Sequence, residues 1–256
     1  MKTFAADLHI HTALSACADD AMTPPAIIEA AIIQGLDMIA ICDHNSAGNV
    51  GAVQAASHHA VAVLAGMEIT TAEEAHILGV FPDATAARAA GDEVYATLPV
   101  GDRGTPSERC PPILGRQLIL DAAGQILDDE SRMLFMASGF VLADAVAVIR
   151  RHGGLAIASH VDRPSNSLIS QLGMFPTDVT FDAIEISAAG LANGKEAEFA
   201  VLGRPIVTSA DSHFLTDIGT SRTLFVLEEA SFDELALALR GREGRRVCAM
   251  EGRPGA

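Results

Sequence analysis

The chain has 256 residues, 49% hydrophobic and 20% charged, enough to enclose one sizeable core within a single large domain. Thirty-three acidic against 17 basic side chains give a formal net charge of −16, a surface that repels extended phosphate backbones and argues against long nucleic acid as a partner. No apolar run reaches the roughly 18 residues of a membrane span, so no membrane partner is expected.

"MKTFAADLHIHT" has no apolar signal core, and Cys17, Cys42, Cys110 and Cys248 are too scattered for a disulfide frame. Both features suit free thiols in a cytoplasmic protein. The first strand is expected at 4–11, with Phe4, Ala6, Leu8 and Ile10 on one face. Thr23-Pro24-Pro25 then opens a helix striped by Ile27, Ile28, Ala31 and Ile32 and ended by Gly35. A second strand at 38–42 and a helix through "AGNVGAVQAASHH" follow.

Further strands are expected in "VAVLAGMEI", "HILGVF", "LAIASH" (155–160), "DAIEIS" (182–187), "PIVTSA" (205–210) and "TLFVLE" (223–228). Helices are expected at 143–152, 195–202 and 232–239, the last behind the capping box Ser231-x-x-Glu234. About eight strands with helical connections predict an α/β barrel, complete or distorted. An open doubly wound sheet is the alternative, but no Gly-rich loop follows the first strand. Residues 83–140 break the rhythm and predict an insertion over one mouth of the barrel, helical at first, with a hairpin in "LILDAAGQIL".

The chemistry-bearing residues cluster at the strand ends. His9 and His11 end the first strand, Asp43-His44 the second and Glu68 the third. His76 stands at the fourth, His160 ends "LAIASH", and Asp211 with His213 follows "PIVTSA". Residues two apart on a strand share a face, so His9 and His11 point into the same space. In a barrel these positions meet at the C-terminal rim, and so many imidazoles and carboxylates together suit divalent Zn, Mn or Fe. His58, His59 and His152 fall at helix ends and are set aside.

With "DLHIHT", "CDHNS", "GMEITT", "HILGVF", "ASHVDRPS" and "SADSH" in that order, the sequence resembles the PHP (polymerase and histidinol phosphatase) family across all but the insertion. The resemblance implies a distorted barrel of about seven βα units holding up to three divalent metals. It assigns His9, His11, Glu68 and Asp211 to the first metal and Glu68, His76 and His160 to the second. His44 and His213 fall to the third. A further family ligand follows the HxH motif; here "HTALSACADDAMTP" offers Asp19 or Asp20, and counting back from Thr23-Pro24 favours Asp19. Asp43 and Asp7 suit the orientation of neighbouring imidazoles.

Such a site implies phosphoester hydrolysis by metal-bound hydroxide, with Glu68, Asp211, His213 and Asp43 as the expected catalytic residues. Arg163 is the first candidate clamp on a phosphate, and Arg116 and Arg222 are weaker ones. Ser165 and Asn166 suit turns as well as substrate bonds, and Glu185 could face the site, with plain strand placement the safer assumption. The expected substrate is a small phosphorylated one, a nucleotide-type monoester or short oligonucleotide. Alternatives are histidinol phosphate, a non-catalytic regulatory role, and an amidohydrolase. Amidohydrolases commonly use a metal-bridging lysine, and neither Lys2 nor Lys195 lies at a strand end.

Overall fold

A computed structural model describes residues 1–100 and 115–252. Cys110 and the 101–114 portion of the expected insertion lie outside them. The other three cysteines are free thiols. No described helix is long and apolar enough to cross a membrane.

The eleven described strands are β1 (Lys2–Ile10), β2 (Met38–Ile41), β3 (Ala62–Thr70), β4 (His76–Phe81), β5 (Leu118–Leu120), β6 (Ile126–Asp129), β7 (Leu155–Ala158), β8 (Ala183–Ile186), β9 (Ile206–Thr208), β10 (Ser221–Leu227) and β11 (Arg246–Gly252). Nine form one sheet in the order β11-β10-β1-β2-β3-β4-β7-β8-β9. Its ends meet where Thr223 Oγ1 accepts from Thr208 N (2.8 Å) and donates to Thr208 O (2.8 Å). The result is the nearly closed, distorted barrel that the pattern predicted.

The main helices are α1 (Pro24–Ile33), α2 (Val50–Ser57), α3 (Ala84–Thr97), α4 (Leu142–Arg151) and, near the C-terminus, α5 (Phe232–Leu239). The buried residues of α1 to α4 pack against Ile39, Ile41, Met67, Ala156 and Ile184 on the outer sheet face. The opposite face gathers Leu8, Met38, Ala40, Leu78, Ile157 and Val207. Gly66 on β3 passes so close to β2 that a Cβ there would lie 2.7 Å from Ile41 O, a space that only glycine fits.

Two features depart from the sequence reading. Phe4, Ala6, Leu8 and Ile10 do not all share one face: Leu8 packs with the inner cluster and Ile10 with the helix-side cluster. A register irregularity between Asp7 and Ile10 in the β1–β2 pairing causes the switch. It lets Leu8, His9 and His11 all face inward. The second departure is that β4 runs antiparallel to both β3 and β7. His76 therefore opens its strand, yet the reversed direction still brings it to the rim, paired with Thr70 at the end of β3.

In the expected insertion, α3 is an ordinary covering helix. Asp83 caps it, accepting from Ala86 N, and its Ala87, Ala90 and Val94 are buried. "LILDAAGQIL" forms the predicted hairpin, β5 with β6. That hairpin sits on the rim loops: Leu118 N donates to Ala13 O (2.7 Å), and Asn49 bridges Thr12 Oγ1 to Leu118 O and Leu120 N.

Candidate metal centre

The rim gathers residues from β1, β3 and β4 and from the turns after β2, β7 and β9. His160 and Asp211 stand in the left-handed region (φ 25° and 51°), where a non-glycine residue costs about 1–3 kcal/mol. Those turns swing both side chains back over the barrel mouth.

At the centre lies Glu68, 1% exposed. Its Oε1 is 3.4 Å from His9 Nε2, 3.0 Å from His76 Nδ1 and 3.2 Å from His160 Nε2. Its Oε2 is 3.1 Å from His44 Nδ1 and 3.5 Å from His11 Nε2. Asp211 Oδ1 lies 3.2 Å from His9 Nε2 and 3.1 Å from His11 Nε2. Three groups have donor atoms close enough to share an ion: His9, His11, Glu68 and Asp211; His44, Glu68 and His76; and His11, His44 and His213.

The outer hydrogen bonds decide which ring nitrogens carry protons. Ser15 Oγ gives its only proton to Asp43 Oδ1 (2.8 Å), so His11 Nδ1, 3.0 Å away, must donate to it. Glu185 Oε2 accepts from His9 Nδ1 (3.1 Å). The Asp211 carbonyl accepts from His213 Nδ1 (2.9 Å). Once neutral, as a metal ligand must be, each of these rings presents a bare Nε2. His9 Nε2 and His11 Nε2 stand 3.2 Å apart, with Glu68 and Asp211 oxygens around them. Lone pairs facing one another in a buried pocket repel unless a proton or a cation lies between them. The donor set fits divalent metals of the Zn, Mn and Fe type.

Electrostatics agree with that crowding. Burial pushes Glu68 upward, but the rings of His76 and His9 outweigh it and hold its carboxyl well below the usual range. Asp211 is likewise held well below by His9, against burial. Burial opposes charge on His9, yet Asp211, Glu185 and Glu68 raise it well above an ordinary histidine. His11 goes the other way, lowered by burial and by its neighbour His213.

All eight ligands expected from the strand ends come together: His9, His11, His44, Glu68, His76, His160, Asp211 and His213. Asp19 does not join them. It is exposed, and its Oδ1 accepts from its own loop at Ala21 N (2.8 Å), a local turn competing for the carboxylate. Asp20 is exposed as well. Asp43 reaches the centre only indirectly, its two oxygens taken by Thr12 N, Thr12 Oγ1 and Ser15 Oγ. Asp7, within β1, accepts from Ala210 N and Gly219 N; burial, partly offset by those bonds, pushes it up to about 7.

Of the three arginines, only Arg163 arrives, its guanidinium hydrogen-bonded to Asp211 Oδ2. Arg116 pairs with Asp129 on the hairpin, and Arg222 pairs with Glu251 and donates to Gln34 O on the far side of β10. Asn166 Nδ2 lies 3.2 Å from His76 Nε2. Turning its amide over would let Oδ1 accept from Nε2 and leave His76 Nδ1 bare toward Glu68.

Sequence reasoning set Glu185 aside in favour of strand placement and missed Cys17. Glu185, 1% exposed, orients His9 and also accepts from Ser159 Oγ and His160 N. The alternation of "AIEI" carried that signal, because Ile184 and Ile186 pack on the helix side. Cys17 lies against His44 and His213. Burial pushes its thiol up, but hydrogen bonds to both rings bring it down to about 6.

The PHP domain matches residues 7–138, just over half of the chain, and a PHP-associated segment matches residues 190–243. The chain belongs to the PHP family. Both matched segments contribute strands to the same nine-stranded sheet. Over 105 residues the chain is 30% identical to the uncharacterized protein YqxK of Bacillus subtilis, covering 39% of this chain and 27% of that protein.

Among solved structures, the lesion-specific endonuclease Q of Pyrococcus furiosus superposes with a TM-score of 0.73 at 17% identity, over 98% of this chain and 59% of its own. Endonuclease Q bound to a 27-mer duplex with an abasic lesion gives 0.72 at 18%, over 98% and 60%. A protein from Bifidobacterium adolescentis described as a metal-dependent phosphoesterase gives 0.54 at 18%, over 81% and 87%. At these identities the likeness is one of fold, and this chain spans about 60% of the endonuclease Q length.

Proposed function

We propose that the chain is a metal-dependent hydrolase of phosphoester bonds acting on a nucleotide-type phosphate. The observation that carries this reading is the convergence of imidazole nitrogens and buried carboxylates on one rim, with Arg163 at its open side. His9, His11, Glu68 and Asp211 would hold one ion, Glu68 with His76 and His160 a second, and His44 with His213 a third. Divalent cations held there, zinc, manganese or iron, would supply an activated water and offset charge gathering on the phosphoryl oxygens.

The chain's own residues do the rest. Arg163, its side chain 38% exposed, stands over Asp211 with donors left for two phosphoryl oxygens. Asp43 fixes His11 through Ser15, and Glu185 fixes His9, so the rings meet substrate already oriented. The hairpin packed on the Thr12–Ala13 and Asn49 loops borders the mouth and selects what enters. No lysine contacts the described cluster, and Lys195 pairs with Glu198, which disfavours the amidohydrolase alternative.

The net charge of −16 favours a small substrate over a long polyanion. The fold likeness to endonuclease Q, which acts on DNA containing an abasic lesion, leans the other way and supports a DNA strand as a second reading. One substrate panel decides between them. Manganese-loaded protein is offered nucleoside monophosphates, histidinol phosphate, short 5′-phosphorylated oligonucleotides and a duplex with an abasic site. Hydrolysis lost on chelation, and reduced at least about 100-fold in Glu68→Gln, supports the reading. Full activity in EDTA, or metal-loaded protein inert toward every substrate, overturns it.

A further inference from the structure

We infer that the pole of the barrel opposite the metal rim carries a second anion site, built by Arg204, Arg240, Arg242 and Arg246 for a compact polyphosphate. The inference is independent of the metal-centre reading, because the two sites share no residue.

The strands fix where the site lies. Asp182 and Pro205 immediately precede β8 and β9, and Arg246 opens β11. His160 and Asp211, by contrast, follow β7 and β9 at their other ends. Arg246 pairs with Val226, beside the Lys2–Leu227 pair at the start of β1, the strand whose far end carries His9. A pocket of about 620 Å³ opens at this pole, a size ordinary for small-ligand sites. Four of the chain's 17 basic residues line it, although the net charge is −16. Three of the four come from one turn, "RGREGRR" (240–246).

That turn is folded to present them. Gly241 N donates to Ala238 O (3.1 Å) and Arg242 N to Leu237 O (2.9 Å), closing the end of α5, and Arg245 N donates to Arg242 O (2.8 Å). Gly241, Glu243 and Gly244 stand in the left-handed region (φ 59°, 53° and 80°), a conformation that costs Glu243 free energy. Arg245, 11% exposed, holds the turn down through Glu234 Oε1 (2.9 Å) and Oε2 (3.0 Å) on α5.

The same grip uses up the neighbouring acids. Glu228 (3.2 Å) and Glu243 (3.5 Å) also face Arg245. Asp182, the carboxylate that lines the pocket, takes Ala156 N (2.8 Å) and Arg150 Nη1 (2.5 Å). Among the described residues, Arg204, Arg240, Arg242 and Arg246 pair with no acid, and Arg246 Nη1 reaches only Gly244 O (3.4 Å). Arg240 gains from the negative end of α5, where it is the C-cap; the other three have no such compensation. Like charges gathered without counter-charges repel, and a bridging anion removes that repulsion. Guanidinium forks match phosphoryl oxygens two at a time. An extended strand would also meet the acidic remainder of the chain, whereas pyrophosphate or the phosphate tail of a nucleotide fits inside the pocket.

Isothermal titration of the full chain with pyrophosphate tests this, after metal is stripped so that the rim does not compete. Binding is expected at about one per chain, weakening as salt rises. It should fall at least about 10-fold when Arg240→Ala and Arg242→Ala are combined, and stay unchanged in Arg163→Ala. ATP is titrated in parallel. Tighter binding than pyrophosphate assigns the pocket to a nucleotide's phosphate tail, binding no tighter assigns it to free polyphosphate, and either supports the site. No pyrophosphate bound overturns the inference, as does binding lost in Arg163→Ala and kept in the double variant. An oligothymidine strand held by the same arginines more tightly than pyrophosphate also overturns it, by making the pole a nucleic-acid track. Should the stripped chain or the double variant fail to fold, phenylglyoxal labelling of the chain as purified decides. Pyrophosphate is expected to slow modification of Arg240 and Arg242 and to leave Arg116 unaffected; equal rates with and without it overturn the site.

Discussion

Glu185 shows how much of the centre depends on side chains that touch no ion. Its carboxylate accepts from His9 Nδ1 at 3.1 Å and holds the ring in the tautomer that bares Nε2. Burial pushes the Glu185 carboxyl up, but His9 outweighs it, and the group is held below its ordinary range as an anion. Replacing such an outer carboxylate costs about 10–100-fold in metal affinity. Glu185→Gln is therefore expected to weaken manganese binding about 10-fold and Glu185→Ala about 100-fold, read by isothermal titration calorimetry; unchanged affinity would remove Glu185 from the centre. A second expectation concerns protons. Despite burial, acidic neighbours raise His9, and contacts with Cys17, joined by Glu68 at His44 and Asp211 at His213, raise the other two. A group raised in this way keeps its proton to higher pH than an ordinary histidine and loses it as pH rises through that elevated value. Incoming metal must displace those protons, so affinity is expected to climb with pH, with proton release measurable by titration in buffers of different ionisation enthalpy. Binding independent of pH and buffer would contradict it. At this scale the ligand types were legible because histidines and acids recur at strand ends, whereas Glu185 hid inside an apolar run.

At the scale of elements, two irregularities build the site. The shift in β1 between Asp7 and Ile10 turns both histidines inward, and the reversal of β4 delivers His76 to the rim from the start of its strand. Neither is visible in residue periodicity, because a bulge and a strand direction are properties of the pairing partner. The hairpin β5–β6 was legible as alternating residues around a turn, but its docking was not. That docking runs through Asn49, fully buried, whose amide serves Thr12 Oγ1, Leu118 O and Leu120 N, each at 2.9 Å. Asn49→Ala takes that partner from the Leu118 carbonyl and the Leu120 N–H, at about 1–3 kcal/mol each, while Thr12 Oγ1 keeps Asp43 and Leu14 N. The expected outcome is a lower urea midpoint and faster amide exchange confined to residues 117–130, with metal content unchanged. Uniform exchange across the barrel would mean that the hairpin is not fastened there.

For the whole molecule, the ions are also fasteners. The ligands come from β1, β3, β4 and the turns after β2, β7 and β9, so a filled centre ties most of the sheet together at one end. A ligand at 100 times its dissociation constant stabilises the folded state by about 2.7 kcal/mol. At this size that corresponds to a rise of about 5–10 °C in Tm. Chelation is expected to lower Tm by about that much and readdition of manganese to restore it, followed by calorimetry; a Tm indifferent to EDTA would argue that the ions do not bridge the strands. By itself the sequence determined the alternation of strands and helices, the aliphatic core, the acidic surface and the choice of imidazole and carboxylate as donors, because these follow from local periodicity and composition. Only the tertiary structure decided which donors meet. Asp19 was drawn off by its own backbone, Cys17 was pinned against His213, and Arg163 reached Asp211 while Arg116 and Arg222 found other acids. A side chain's partner depends on chain segments far away in sequence, and no local pattern encodes that distance.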